Sequence, residues 1–237
     1  MKVIDENIDI NYITNSTNTV FIPNESITIS KSRVEKVFKR ILDIIGGLIG
    51  VIILIPLTIV IYIANLLVND KGPVFYKQKR IGKNGKIFTM YKYRSMIVDA
   101  DKKLNKYLRE NEKAKKEYQE YKKLKEDPRL TKVGKFLRKT SIDEFPQFIN
   151  VLKGDMSLVG PRPYLRREKK EMGRYYNYII KCKPGITGYW QVSGRSNVNF
   201  QGRLRMDLEY INNSNLKTDC KLLKDTILKT IEKEGAI

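Results

Sequence analysis

Histidine is absent from this 237-residue sequence. Its absence removes Ser-His-Asp and Cys-His nucleophile pairs, and most zinc sites, together. Cysteine is nearly absent too. Cys182 and Cys220 stand far apart without metal-ligand spacing, so they read as free thiols in a reducing compartment and not as a disulfide framework. Acidic residues are scarce, 26 Asp and Glu against 46 Lys and Arg, which leaves a formal charge of +20. A surplus that large implies an anionic partner: nucleic acid, anionic lipid headgroups or phosphorylated substrates. Neither a Walker A nor a G-x-G-x-x-G pattern occurs, so the two common glycine-rich phosphate loops are excluded. Internal repeats are lacking, and the length suits one good-sized domain with appendages.

What is present begins with a long apolar run. Ile44 to Asn69 carries no charge and is mostly Ile, Leu and Val, enough to cross about 30 Å of hydrocarbon. It starts too late for a cleaved signal peptide, and no small-residue cleavage site follows it. Pro56 lies near its middle, where it removes a helical hydrogen bond. The stretch from Ile44 to Ile55 alone rises only about 18 Å at about 1.5 Å per residue. Both flanks are basic, with Lys36, Lys39 and Arg40 before and Lys71, Lys77, Lys79 and Arg80 after, so the positive-inside rule sends neither end across. The pattern fits a helix that enters, breaks at Pro56 and returns to the same face; a straight single span is the alternative. Asp43, at the edge of the run, has Lys39 and Arg40 as candidate partners. Gly46, Gly47 and Gly50 inside the run suit close helix packing in lipid.

Residues 1–33 form a polar leader rich in Asn, Thr and Ser, and 34–70 the membrane element. Residues 71–237 are left for one folded domain. Val74–Ile81 and Lys86–Tyr93 flank Lys83-Asn84-Gly85, a hairpin signal because Asn-Gly favours the turn between two paired strands. Asp99 to about Glu126 is a charged helical stretch, either a solvated face or an interfacial helix on anionic lipid. Its Lys residues are interspersed with Glu, which argues against a nucleic-acid groove. Phe145, Phe148, Ile149 and Leu152 recur at helical spacing and end at Gly154, a helix cap. A helix over Leu165–Ile180, a strand over Ile186–Val192, and helices at Asp207–Ile211 and Cys220–Ile231 follow. The whole is mainly α with a small β-hairpin.

The stretch Arg138-Lys139-Thr140-Ser141-Ile142-Asp143-Glu144-Phe145-Pro146-Gln147 concentrates chemistry. Ser141 with Glu144 three residues later matches a capping box. Pro146 would collide with an earlier carbonyl if the helix began at Ser141, so the helix is expected to start nearer Asp143. Both carboxylates then lie in a first turn, where free N–H groups keep them ionised. Adjacent carboxylates can hold Mg2+ beside substrate phosphates, and an Asp carboxylate can act as a nucleophile at phosphorus. Arg138 and Arg162 offer fork-shaped donors for phosphoryl oxygens. Three further signals are shorter. Asp99-Ala100-Asp101 matches a D-x-D metal-nucleotide pattern, Trp190 and Tyr189 are candidates for stacking on uracil or for a core, and Gly194-Arg195-Ser196 offers a third arginine.

Taken together, several segments resemble one family. These are Lys39-Arg40 with Asp43, Tyr91-Lys92-Tyr93-Arg94-Ser95-Met96, Ser141-Ile142-Asp143-Glu144, the stretch from Asn150-Val151-Leu152-Lys153-Gly154-Asp155 to Gly160-Pro161-Arg162-Pro163, Lys183-Pro184-Gly185-Ile186-Thr187-Gly188, and Gln191-Val192-Ser193-Gly194-Arg195. In that order, over roughly residues 36–231, they resemble the bacterial monotopic phosphoglycosyl transferases that act on polyprenyl phosphate. The resemblance implies a re-entrant membrane helix broken at proline, although Ile55 replaces the serine that often precedes it. It also implies a cytosolic, membrane-associated catalytic domain on the cytoplasmic face of the inner membrane. Larger relatives carry extra membrane helices, so this chain looks like the catalytic unit with a polar leader. Asp143 would attack the β-phosphate of a UDP-sugar, release UMP and pass the phosphosugar to polyprenyl (undecaprenyl) phosphate, the first membrane step of capsule or exopolysaccharide synthesis. Glu144 would share in Mg2+ binding or proton handling, and Arg138, Arg162 and Arg195 would bind phosphate. The expected partners are these two substrates and membrane lipid, with no nucleic acid; a homodimer is compatible. Two rivals use the same residues: a membrane-anchored glycosyltransferase or hydrolase working through the same carboxylates with Asp99 and Asp101, and a basic membrane-binding protein without catalysis.

Overall fold

The computed structural model describes residues 32–121, 124–193 and 198–231. All of the polar leader except Ser32 and Arg33, and also Arg195, lie outside the described residues.

Helix α1 (Arg33–Leu67) opens on a capping box. Ser32 Oγ accepts from the Glu35 amide at 3.1 Å while the Glu35 carboxylate accepts from the Ser32 amide at 3.0 Å. The buried positions Asp43, Gly47, Gly50, Leu54, Ile61 and Asn65 recur at helical spacing and form one stripe, about 33 Å long at 1.5 Å per residue. That stripe packs on the rest of the protein. The other faces expose Ile45, Leu48, Ile52, Ile55, Ile59, Ile63 and Leu66. Among the described residues α1 is the one helix long and apolar enough to cross a membrane.

Polar anchors fix its first half. Asp43, buried, accepts from Ser157 Oγ and from the Leu158 amide, both at 2.8 Å. Its partners are therefore not Lys39 and Arg40. Lys39 pairs with Asp219 at 2.6 Å, and Arg40 donates to the carbonyls of Val151 and Leu152 at 2.8 Å each. The glycine stripe meets side chains from the rest of the protein. A Cβ on Gly47 would lie 2.7 Å from Leu152 Cδ2, and one on Gly50 would overlap the Phe148 ring.

Helical residues run through Pro56 to Leu67. Proline's fixed φ suits a helix; what it removes is one donor to the Ile52 carbonyl, together with a ring clash there. One lost bond does not end a helix packed along a whole face. Polar side chains gather beside the proline: Thr58 Oγ1 donates to the Leu54 carbonyl at 2.7 Å, and the Tyr93 hydroxyl lies 2.6 Å from Thr58 Oγ1.

Strands β1 (Phe75–Ile81) and β2 (Ile87–Tyr93) pair antiparallel, Ile81 opposite Ile87. Asn84 (φ 55) and Gly85 (φ 77) both take the left-handed conformation of the turn, as the Asn-Gly signal predicts. The charged stretch folds as α2 (Ala100–Glu110) and α3 (Glu112–Tyr121), and α4 (Lys132–Lys139) follows. Next come a 3-10 turn at Ile142–Glu144 and α5 (Gln147–Lys153), which Gly154 (φ 82) closes as expected. Strand β3 (Ser157–Val159) pairs in parallel with β4 (Gly185–Thr187).

Between those two strands, the helix expected over Leu165–Ile180 is a series of short turns that includes α6 (Lys169–Met172) and α7 (Tyr176–Ile179), interrupted at Gly173 (φ 51). The strand expected over Ile186–Val192 stops at Thr187 because its partner is only three residues long, and α8 (Tyr189–Ser193) follows. Helices α9 (Phe200–Asn213) and α10 (Leu216–Ile231) complete the order. The largest core cluster joins Tyr164, Met172 and Tyr175 to Leu204, Leu208 and Tyr210. A second joins Leu54 and Ile61 of α1 to Tyr93 and Leu137.

Gly50→Val should lower stability by about 2 kcal/mol, since the added methyls overpack against Phe148. Thermal unfolding in detergent measures it. Ile52→Val, on the exposed face, should leave the midpoint within a degree or two, because the lost methylene was never buried in protein.

Candidate active site

Asp143 and Glu144 sit on the 3-10 turn between α4 and α5. Ser141 holds the left-handed conformation (φ 57) and makes no side-chain cap. The expected capping box is therefore not formed, and the Glu144 carboxylate instead turns to Lys92. Lys92 Nζ lies 2.5 Å from Glu144 Oε1 and 3.8 Å from Asp143 Oδ2.

The strand pairing places that lysine. Tyr76 opposes Lys92, Gln78 opposes Met90 and Arg80 opposes Phe88, so all six share one face of the hairpin. Asn150, fully buried on α5, locks this face to the acidic turn. Its Oδ1 accepts from the Tyr91 amide at 3.0 Å and its Nδ2 donates to the Thr89 carbonyl at 2.7 Å.

Arginines surround the pair. Arg138, in the last turn of α4, donates from Nε to Ser95 Oγ at 3.0 Å, and its charge acts on Asp143. The charges of Arg162 and Arg80 act on Glu144. Arg80 is buried and donates to the Pro163 carbonyl at 2.8 Å. Burial, with the nearby Arg162 charge adding to it, lowers the Arg80 pKa to about 10, so it stays charged at neutral pH.

The two carboxyls are driven apart. Burial raises Asp143, and the neighbouring Glu144 charge adds to this, against the pull of Lys92 and Arg138. Burial would raise Glu144 too, but the charge of Lys92 and its hydrogen bond outweigh it and hold Glu144 below its usual range. Glu144 is thus the firmly ionised partner and Asp143 the more basic, the pattern that separates roles in a carboxyl pair.

Of the sequence candidates, the fold brings Asp143, Glu144, Arg138 and Arg162 together. Asp99 is exposed and pairs with Lys102, and Asp101 is exposed as well, so the D-x-D pattern is surface chemistry on α2. Two arginines lie against the Trp190 ring. Arg162 lies over one side of its ring system and Arg203 also stacks on it, each 5.2 Å from the centroid. Tyr189 packs edge-on to Tyr210 in the core.

Lys92, Arg80, Arg203 and Asp207 were not singled out from sequence. For Lys92 a signal existed: Phe88, Met90 and Lys92 share one strand parity, which puts a charge on the buried face. Among the described residues no group of three or more Asp, Glu, His or Cys side chains could hold a metal alone.

A family profile described as bacterial sugar transferase matches residues 34–233. The chain belongs to the bacterial sugar transferase family. It is 42% identical over 204 residues to an undecaprenyl-phosphate galactose phosphotransferase of Salmonella typhimurium, covering 86% of this chain and 42% of that one. It is 35% identical over 212 residues to the exopolysaccharide production protein ExoY of Sinorhizobium fredii, covering 90% of this chain and 92% of that one. It is 36% identical over 213 residues to a UDP-glucose:undecaprenyl-phosphate glucose-1-phosphate transferase of Escherichia coli, covering 86% and 42%. The chain spans less than half the length of the first relatives it matches. Membership of this sugar transferase family, with the apolar α1, makes the chain a membrane protein. The family match contains every charged residue placed around Asp143 above.

Asp207 holds the Arg162 segment from behind. Its Oδ2 accepts from the Tyr164 hydroxyl at 2.7 Å and from the Arg162 amide at 3.1 Å. Burial pushes its carboxyl up to about 7, from an ordinary 3.8, against those hydrogen bonds. The folded state therefore binds this proton more tightly than the unfolded chain. The stabilisation is complete below about 4 and is lost as pH rises to about 7, at up to about 1.4 kcal/mol per pH unit. Thermal melts across that window should show the fall in wild type, and Asp207→Asn should flatten it.

Proposed function

We propose that this chain moves a sugar-1-phosphate from a UDP-sugar to polyprenyl phosphate, releasing UMP. The observation that carries the proposal is the Asp143–Glu144 pair, split in basicity and facing Lys92, Arg138, Arg162 and Arg80, on a domain docked along an apolar helix. In the first step an Asp143 oxygen bonds to the β-phosphorus of the donor while the bond to the UMP oxygen breaks. The product is a phosphosugar ester on the carboxylate. In the second step an oxygen of polyprenyl phosphate bonds to the same phosphorus and Asp143 departs as a carboxylate. A single phosphoryl site then serves two phosphate substrates in turn. The cationic ring offsets charge on the transferring phosphoryl group, which is the main requirement of such chemistry.

The donor set fits Mg2+, which commonly takes one or two carboxylates and completes its shell with water and substrate phosphate oxygens. Asp143 and Glu144 are the carboxylates that would hold it, and bound there it would neutralise phosphate charge. Lys92 already meets both carboxylates, and with Arg138 it opposes the burial that raises Asp143.

The relatives' names speak of undecaprenyl phosphate and exopolysaccharide. The same pathway class, capsule or exopolysaccharide assembly at the cytoplasmic face of the inner membrane, is our reading for this chain. We further propose that α1 is monotopic. Its stripe is occupied by the catalytic domain from Asp43 to Asn65, so its two ends remain on the side of that domain.

Two measurements test these readings. Purified protein with Mg2+ and a panel of UDP-sugars, without lipid acceptor, should gain the mass of one phosphosugar. Asp143→Asn should show no adduct and should lose at least about 10³-fold in lipid-dependent UMP release. Lipid-dependent UMP release without any adduct would instead mean direct transfer in a ternary complex. UMP release independent of lipid would mean a hydrolase. For topology, single cysteines replacing Ser32 and Asn69, in a background lacking Cys182 and Cys220, should both react with an impermeant maleimide from the same side of sealed vesicles. Reaction from opposite sides would establish a spanning helix.

A further inference from the structure

The guanidinium of Arg162 stands beside the acidic pair without an ion-pair partner among the described residues, and its Nε is buried without a hydrogen-bond partner. Its backbone is fixed, since prolines flank it and its amide donates to Asp207. Its side chain is held mainly by stacking, with the Arg162 guanidinium carbon 5.2 Å from the centre of the Trp190 ring system.

Trp190 is pinned in turn by Arg203, at the same 5.2 Å. Arg203 is 3% exposed and firmly tied. Its Nε donates to the Val198 carbonyl at 3.0 Å, and its terminal nitrogen to the Tyr121 carbonyl at 3.1 Å. Burial, then the charge of Arg162, lowers the Arg203 pKa to about 10. Two like charges thus share one indole, whose attraction for each offsets part of their repulsion. The Trp190 Nε1 is itself buried with no hydrogen-bond partner among the described residues, so its contribution at this place is its π faces.

We propose that Trp190 is a positioning residue. It carries the fixed placement of Arg203 across to Arg162, and so orients the Arg162 guanidinium for the phosphoryl group at Asp143 without touching substrate itself. This rests on the function proposed above for its kinetic arm, but not for its spectroscopic arm.

Trp190 is the one tryptophan in the chain, so its emission reports this stack alone. Arg162→Ala should shift the emission of the resting protein and increase acrylamide quenching. UMP should change wild-type emission saturably and leave Arg162→Ala unchanged. Trp190→Phe, which keeps a π face, should stay within about threefold of wild-type kcat/KM, and Trp190→Leu, which does not, should fall by about tenfold at an unchanged thermal midpoint. In an Arg162→Ala background, Trp190→Leu should cost nothing further, because both changes remove one unit.

Unchanged emission in Arg162→Ala, or full kcat/KM in Trp190→Leu, would overturn the proposal. If Trp190→Leu does not fold, the emission of Arg162→Ala decides. If wild type turns over no UDP-sugar, the proposed function fails, and the emission arms still decide the role of Trp190.

Discussion

The docking of α1 along the catalytic domain is the constraint on which the site depends. Arg40 caps the carbonyls of Val151 and Leu152, so the C-terminal end of α5 is completed by the membrane helix. Asp43 ties the same helix to β3 through Ser157 and Leu158. With α5 fixed, Asn150 grips β2 at Thr89 and Tyr91. That grip brings Lys92 to Glu144 and Asp143. Anchor and active site are therefore one mechanical unit: a displacement of α1 is felt two contacts later at the carboxylates. Gly47 and Gly50 serve the same end, since Leu152 and Phe148 occupy the space where side chains on α1 would be.

Electrostatics around the site run against ordinary burial. Arg80 and Arg203 are both buried and both pushed down to about 10, each with Arg162 as a like-charged neighbour. Buried charge of one sign is costly unless it is paired. Carboxylates offset part of it: Glu144 near Arg80 and Arg162, and Glu168 near Arg80 and Arg203. The remainder is tolerated by a site that takes phosphates. The chain's +20 charge gives the same bias at long range, towards anionic substrates and anionic lipid.

Much of the fold was legible where a local rule decides the outcome. Asn84-Gly85 named its turn, Gly154 its helix end, and the spacing of Phe148, Ile149 and Leu152 its helix, although Phe145 closes the preceding 3-10 turn instead. Asp143 and Glu144 were legible as an adjacent acidic pair before a proline, although Pro146 separates their turn from α5 and does not admit them to its first turn. What was not legible depends on partners distant in sequence. Lys92 becomes a site residue only because β2 lies against the acidic turn. The continuity of α1 through Pro56 depends on a packed face that no window of sequence contains. Trp190 read equally as a base platform or a core residue, and its contacts with Arg162 and Arg203 come from partners that no local pattern contains.

The ion pair between Lys39 and Asp219 joins residues separated by 180 positions. During synthesis α1 leaves the ribosome long before Asp219 has been made. At about 5–20 residues per second the interval is on the order of ten seconds or more. Throughout it the Lys39 ammonium has no Asp219 partner, while the apolar faces of α1 are already complete. The Lys39–Asp219 pair can therefore close only after α10 has been made, well after the apolar faces of α1 are complete.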